Sequence, residues 1–168
     1  MAANRVPAVN VSLSGEANDL LALAVRRAAA RGTLLVAAAG NGGPGAPPAY
    51  PAAYAQVVAV TAVDRSGAVF AGANQGDYIA FAAPGVRIWT PGRNPFGEYQ
   101  TGTSFAAPFA TAAAALALMD GGPAEPQALK RLLARHSLHL GAPGKNPVYG
   151  YGLLKATASC DAVTALVR

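Results

Sequence analysis

Apolar residues fall into short unbroken runs along this chain, and the segments between them carry either helical spacing or turn residues. "VNVSLS", residues 9–14, predicts a short apolar strand. In "GEANDLLALAVRRAAARG", Leu21, Ala24, Val25 and Ala28 share one helical face while Arg26 and Arg27 turn outward. Asn18 or Asp19 can cap that helix and Gly32 can end it. "TLLVAAA", from Thr33, is apolar on both faces, the signature of a central parallel strand. The glycines and prolines of "GNGGPGAPPAYP" make a loop. "VVAVTAV" from Val57 predicts a further buried strand, "DYIAFAAPG" from Asp77 another, and residues 86–101 a hairpin-like stretch.

The helix that opens at about Ser104 is uncharged from Phe105 to Met119, so it belongs inside. "PQALKRLLARHS" is an amphipathic surface helix, and residues 155–167 predict a last one. Strand, helix and strand in alternation imply a parallel α/β sheet with helices on both faces. There is no internal repeat and no linker, so residues 1–168 read as one domain. Composition agrees: 52% hydrophobic residues in 168 is enough for a real core.

Composition also excludes some partners. The longest apolar run is shorter than the roughly 20 residues of a membrane span, and Pro108 interrupts it. The opening "MAANRVPAVNVSLSG" lacks the apolar core and cleavage site of a secretory signal. The net charge is +5, but the arginines are scattered and no basic stripe alternates with aromatics, which argues against nucleic acid. A single cysteine, Cys160, allows no internal disulfide and reads as a small buried hydrophobe.

Three short stretches carry candidate chemistry. In "TGTSFAAPFA", Ser104 stands at the mouth of the apolar helix. It is either a nucleophile, with its own N–H and the helix dipole beside it, or an ordinary cap. In "VAAAGNGGPG", Asn41 follows a buried strand, where α/β sheets place functional groups. Its amide could donate to an oxyanion, or it is the asparagine of an Asn-Gly turn. "NVSLSG" leaves backbone groups with which an extended peptide could pair by strand addition, or it simply runs into a turn. Taken singly, each reading stays open.

Taken together, "VNVSLSG", "VAAAGNGGPGAPPAYPAAYAQVVAVTAVD", "FAAPGV" and "GTSFAAP", in this order and spacing, resemble the subtilisin-like serine peptidases, the subtilase family. "YGYGLLKATA" resembles the closing segment of that family, so the likeness covers residues 9–167. The resemblance implies an α/β, parallel-sheet, subtilisin-like three-layer fold, incomplete at the N-terminal side. It implies Ser104 as nucleophile and Asn41 as the oxyanion amide, with Thr103 supporting that site. Ser12, Leu13, Ser14 and Gly15 match one wall of a peptide groove. Ala38, Ala39 and Gly40 match the other, bordering the pocket for the residue before the scissile bond. Pro108 matches a proline near the first turn of the central helix, where proline is tolerated.

One departure counts as much as the match. In the family the triad runs aspartate, histidine, serine, in Asp-Ser/Thr-Gly and His-Gly-Thr motifs that would precede Val9. Residues 1–8 hold neither motif. His136 and His139 lie downstream, and Asp19, Asp64, Asp77, Asp120 and Asp161 lack the aspartate motif. Lys130, Lys145 and Lys155, the candidates for a serine–lysine pair, sit in segments that read as surface. The expectation is therefore a partial serine endopeptidase domain. Its partners would be a polypeptide substrate and the N-terminal part of the same domain. Many family members bind calcium, but no carboxylate cluster stands out, so no cofactor and no metal ligand are assigned. Family members are mostly exported, yet the chain shows no export signal. The rival expectations are a non-catalytic peptide-binding or scaffold module and a truncated, inactive reading frame.

Overall fold

A computed structural model describes residues 6–92 and 96–156. Four of the apolar runs pair, all in parallel, into one sheet of order β1-β2-β3-β4. They are β1 (Ala8–Val11), β2 (Leu34–Ala38), β3 (Val57–Val63) and β4 (Ile79–Pro84). Register follows the apolar pattern: Ala8 faces Leu34, Leu35 faces Val57, and Val60 faces Phe81. β3 is buried at every position, as a strand covered on both faces must be.

Alternation along the strands sorts the side chains into two layers. Val36, Val58, Val60 and Ala62 pack with the alanines of α2 (Thr103–Met119). Ala37, Val57 and Ala59 pack on the opposite side with Val25 of α1 (Asp19–Ala30). The result is three layers, with α1 and α2 on opposite faces of the sheet. α2 presents Ala106, Ala110, Ala114 and Ala117 to the core, and these small side chains let the helix lie close across all four strands. α3 (Pro126–Arg135) adds Leu129 and Leu133 to that side.

Capping explains where the helices begin. Asn18, not Asp19, caps α1, accepting from the Leu21 N–H at 3.0 Å, and Asp19 falls in the first turn, where a negative charge favours the helix. The Glu125 carboxylate caps α3 by accepting from the Gln127 and Ala128 N–H groups. The predicted hairpin is present as β5 (Ile88–Thr90) paired antiparallel with β6 (Glu98–Gln100). The outer edge of β4 is covered by residues 151–154, with Leu153 bridging to Ala82. The outer edge of β1 carries no strand among the described residues.

Two expectations need adjustment. The first strand stops at Val11 rather than at residue 14, so Ser12, Leu13 and Ser14 extend beyond the paired sheet. The helix expected over residues 155–167, Cys160 and Asp161 lie outside the described residues, apart from residues 155 and 156, which are not helical.

Candidate active site

The parallel sheet brings the carboxyl ends of β1 and β2 to one edge, and α2 begins there. Each sequence-predicted site segment therefore arrives from a different element. Ser12 to Gly15 come off β1, Gly40 and Asn41 come off β2, and Thr103 and Ser104 open α2.

Gly102 is the N-cap of α2, with no side-chain cap, so the capping role is not Ser104's. Ser104 is the second residue of the helix and is only half-buried. Its N–H is one of the first-turn donors that a helix leaves open, and it makes no hydrogen bond among the described residues. No acidic residue sits in this first turn to neutralise the positive end of the helix dipole. The Ser104 hydroxyl donates to the Ser12 carbonyl at a long 3.4 Å.

Pro108 lies in the second turn of α2, not the first. Its missing N–H deprives the carbonyl four residues back, that of Ser104, of its helical donor. The Ser12 hydroxyl replaces it, donating to the Ser104 oxygen at 2.8 Å. Ser12 in turn accepts from the Asn10 side-chain amide at 3.0 Å. The sequence reading placed Ser12 as groove wall; the structure adds that it braces the helix under Ser104.

Asn41 is exposed, and its oxygen is held twice by Thr103, from the N–H and from the hydroxyl, each at 3.0 Å. Thr103 is fully buried and accepts from the Gly40 N–H at 3.2 Å. With both donors taken up by Oδ1, the Asn41 Nδ2 has no hydrogen-bond partner among the described residues. It lies beside Gly102: a Cβ at that glycine would come within 3.3 Å of it. A side chain there would crowd the amide.

The walls differ in kind. Leu13, Ser14 and Gly15 are exposed, and Gly15 exchanges two backbone hydrogen bonds with Tyr50 (2.9 and 3.0 Å). Ala38 and Ala39 are buried core residues, and the buried Gly40 has both its N–H and its carbonyl engaged. An open depression beyond Asn41 is lined by Ser14 to Ala17 on one side and by Gly42 and the residues from Ala46 to Tyr50 on the other. Glu16 belongs to this lining, a carboxylate the sequence reading left outside the walls.

Two residues went unnoticed in the sequence. Asn74 is 3% exposed and lies against the same loop, hydrogen-bonded to Gly40, Gly42 and Pro47. Tyr78 donates its hydroxyl to the Ala39 carbonyl at 2.8 Å, and burial pushes that phenol above its ordinary range. A lone asparagine in "FAGANQG" gives no signal beyond a turn.

His136 and His139 are exposed beyond the end of α3, and neither is hydrogen-bonded to Ser104. Among the described residues, no group of three or more His, Cys, Asp or Glu side chains comes together as metal ligands would. No helix among them is long and apolar enough to cross a membrane.

Known proteins resemble this chain in sequence and in fold. The sequence profile of the subtilase family matches residues 1–152. The minor extracellular protease Epr of Bacillus subtilis (strain 168) is 40% identical over 167 residues, covering 97% of this chain and 26% of that protein. Subtilisin DY of Bacillus licheniformis is 32% identical over 164 residues, covering 94% of this chain and 58% of that protein. The crystal structure of a lanthipeptide protease superposes with a TM-score of 0.80 at 23% identity, covering 98% of this chain and 63% of that one, a likeness of fold. The prenylagaramide maturation protease PagA superposes at 0.76 with 28% identity, covering 98% and 63%. The chain thus spans less than two thirds of each of these relatives. With the family profile running through both Asn41 and Ser104, this chain belongs to the subtilase family, the subtilisin-like serine peptidases.

Proposed function

We propose that this chain is the nucleophile-bearing part of a serine endopeptidase. It would work when completed by an aspartate- and histidine-bearing portion of the same domain. The observation that carries this reading is the Asn41 amide. Thr103 holds its oxygen from two sides and leaves its Nδ2 without a partner, beside the turn that opens onto Ser104.

A polypeptide substrate would lie extended along Ser12 to Gly15 and pair with the backbone beyond the end of β1. The Ser104 hydroxyl would leave the Ser12 carbonyl, pass its proton to the histidine of the other portion and attack the scissile carbonyl. The oxyanion that forms would take hydrogen bonds from Asn41 Nδ2 and from the open Ser104 N–H, at the positive end of α2. Collapse of the tetrahedral species would leave an acyl-enzyme on Ser104, which water then hydrolyses.

The exposed histidines, neither bonded to Ser104, support a division of the triad between two portions. They also favour a second reading, a peptide-binding module with the groove but no turnover. The two readings separate in one experiment. This chain is joined to an aspartate- and histidine-bearing portion, and hydrolysis of a chromogenic peptide is followed. Hydrolysis that Ser104→Ala abolishes supports the endopeptidase. The chain by itself should run about 10⁶-fold slower, the size of the loss in subtilisin itself when its histidine is removed. Asn41→Ala in the completed enzyme should lower kcat by roughly 10²–10³ with KM little changed, again the size seen in subtilisin. Peptide binding with no Ser104-dependent turnover would leave the module.

A further inference from the structure

The backbone on either side of Asn41 is held by one residue that belongs to neither the nucleophile segment nor the groove walls. The Asn74 N–H donates to the Gly40 carbonyl at 3.0 Å. Its Oδ1 accepts from the Gly42 N–H at 2.7 Å, and its Nδ2 donates to the Pro47 carbonyl at 3.1 Å. Contact is close enough that a Cβ on Gly40 would come within 2.7 Å of the Asn74 Nδ2. The glycine before the oxyanion amide is therefore fitted to this side chain. Asn74 is also part of the lining of the open depression.

We propose that Asn74 is a positioning residue of the peptidase. By fixing Gly40 and Gly42 it holds the Asn41 amide where the oxyanion forms, and through Pro47 it ties that amide to the wall of the open depression beyond it. Thr103 sets the rotation of the Asn41 side chain; Asn74 sets the backbone from which it projects. A glycine-rich loop has little stiffness of its own. A donor acts on a transition state only if it is already in place, and a displacement of about 1 Å can cost on the order of 10² in rate.

This inference rests on the endopeptidase reading, so its test is made on the completed enzyme. Asn74→Ala should lower kcat by roughly 10- to 100-fold, bounded by the loss in Asn41→Ala, with KM within about threefold. Binding of a peptide aldehyde, which places an oxyanion in the site, should weaken in parallel with kcat/KM. In an Asn41→Ala background, Asn74→Ala should cost less than about threefold, because residues that act through one another are not additive. Asn74→Asp keeps the acceptor for Gly42 but loses the donor to Pro47 and sets a buried carboxylate against that carbonyl, so it should recover no more than part of the loss. Should Asn74→Ala fail to fold, Asn74→Ser carries the same comparison, since its shorter side chain cannot span Gly42 and Pro47 together. An unchanged kcat, a loss confined to KM, or an equal loss with and without Asn41 would overturn the proposal. Those outcomes leave Ser104-dependent hydrolysis standing. Hydrolysis that survives Ser104→Ala would remove the endopeptidase reading and this proposal with it.

Discussion

Replacing Ser12 tests whether a side chain from the sheet stands in for a missing helical donor. Ser12→Ala removes the hydroxyl that donates to the Ser104 carbonyl at 2.8 Å. That carbonyl sits under the half-buried nucleophile and has no helical partner, because the residue four ahead is Pro108. Leaving such an acceptor unpaired costs about 1–3 kcal/mol. In a Pro108→Ala background the new N–H can reach the carbonyl, and the same Ser12→Ala change should cost a few tenths of a kcal/mol. The coupling between the two sites is then about 1–2 kcal/mol, well above the scatter of independent mutations. The loss of the Asn10 contact to Ser12 is common to both backgrounds and cancels in the cycle. Urea unfolding of the four proteins, followed by far-ultraviolet circular dichroism, gives the numbers. Additivity within about 0.5 kcal/mol would show that the Ser12 hydroxyl does not substitute for the proline's absent N–H.

Three other outcomes follow from features of the same chain. The Tyr78 phenol, half-buried and bonded to Ala39, holds its proton more tightly in the folded state than at its ordinary value of 10.0. Unfolded chains release that proton first, so stability should fall as pH rises above about 10. Tyr78→Phe should lose about 1 kcal/mol at neutral pH and remove that alkaline decline, and thermal melts from pH 8 to 11 that stay parallel for the two proteins would contradict it. At Gly150, φ is +61° and an added methyl would overlap the Ala80 carbonyl, so Gly150→Ala should cost about 3 kcal/mol or more; an unshifted melting curve would mean that the 150–154 segment does not seal β4. Small side chains, prolines and Tyr50 dominate the depression, so a peptide library should show a broad preference for apolar residues before the scissile bond, each methylene weighing about 1–3 kcal/mol. Strong selection for Arg or Lys there would contradict this and show that the Glu16 carboxylate in the lining outweighs the apolar walls.

Local pattern and long-range pairing were not equally legible. Apolar runs announced β2, β3 and α2, because deep burial along them leaves no charged position. The same pattern could not show where β1 ends. Its last paired residue, Val11, is set by its neighbour Ala37 in β2, not by its own composition. Ser104 and Asn41 stood out through their motifs and their order in the chain. Asn74 did not, because its partners Gly42 and Pro47 come from across β3, 32 and 27 positions away. The brace from Ser12 to Ser104 spans 92 positions and was equally hidden. Pro108 stands out in the sequence, but only the start of the helix at Thr103 shows that the carbonyl four residues back, that of Ser104, is a helical one left without its donor.

The sheet order, β1-β2-β3-β4, is also the order in which a ribosome makes the strands. Each strand emerges to find its predecessor already waiting, and none has to be held open for a later insertion. The helix that covers all four strands on one face, α2, is made after the last of them. Until it arrives, the faces of Val36, Val58 and Val60 have nothing to lie against. All four strands are thus synthesised before the helix that covers them, and until it follows, that apolar side lacks its cover, the kind of exposure that opens a nascent protein to aggregation and to capture by chaperones.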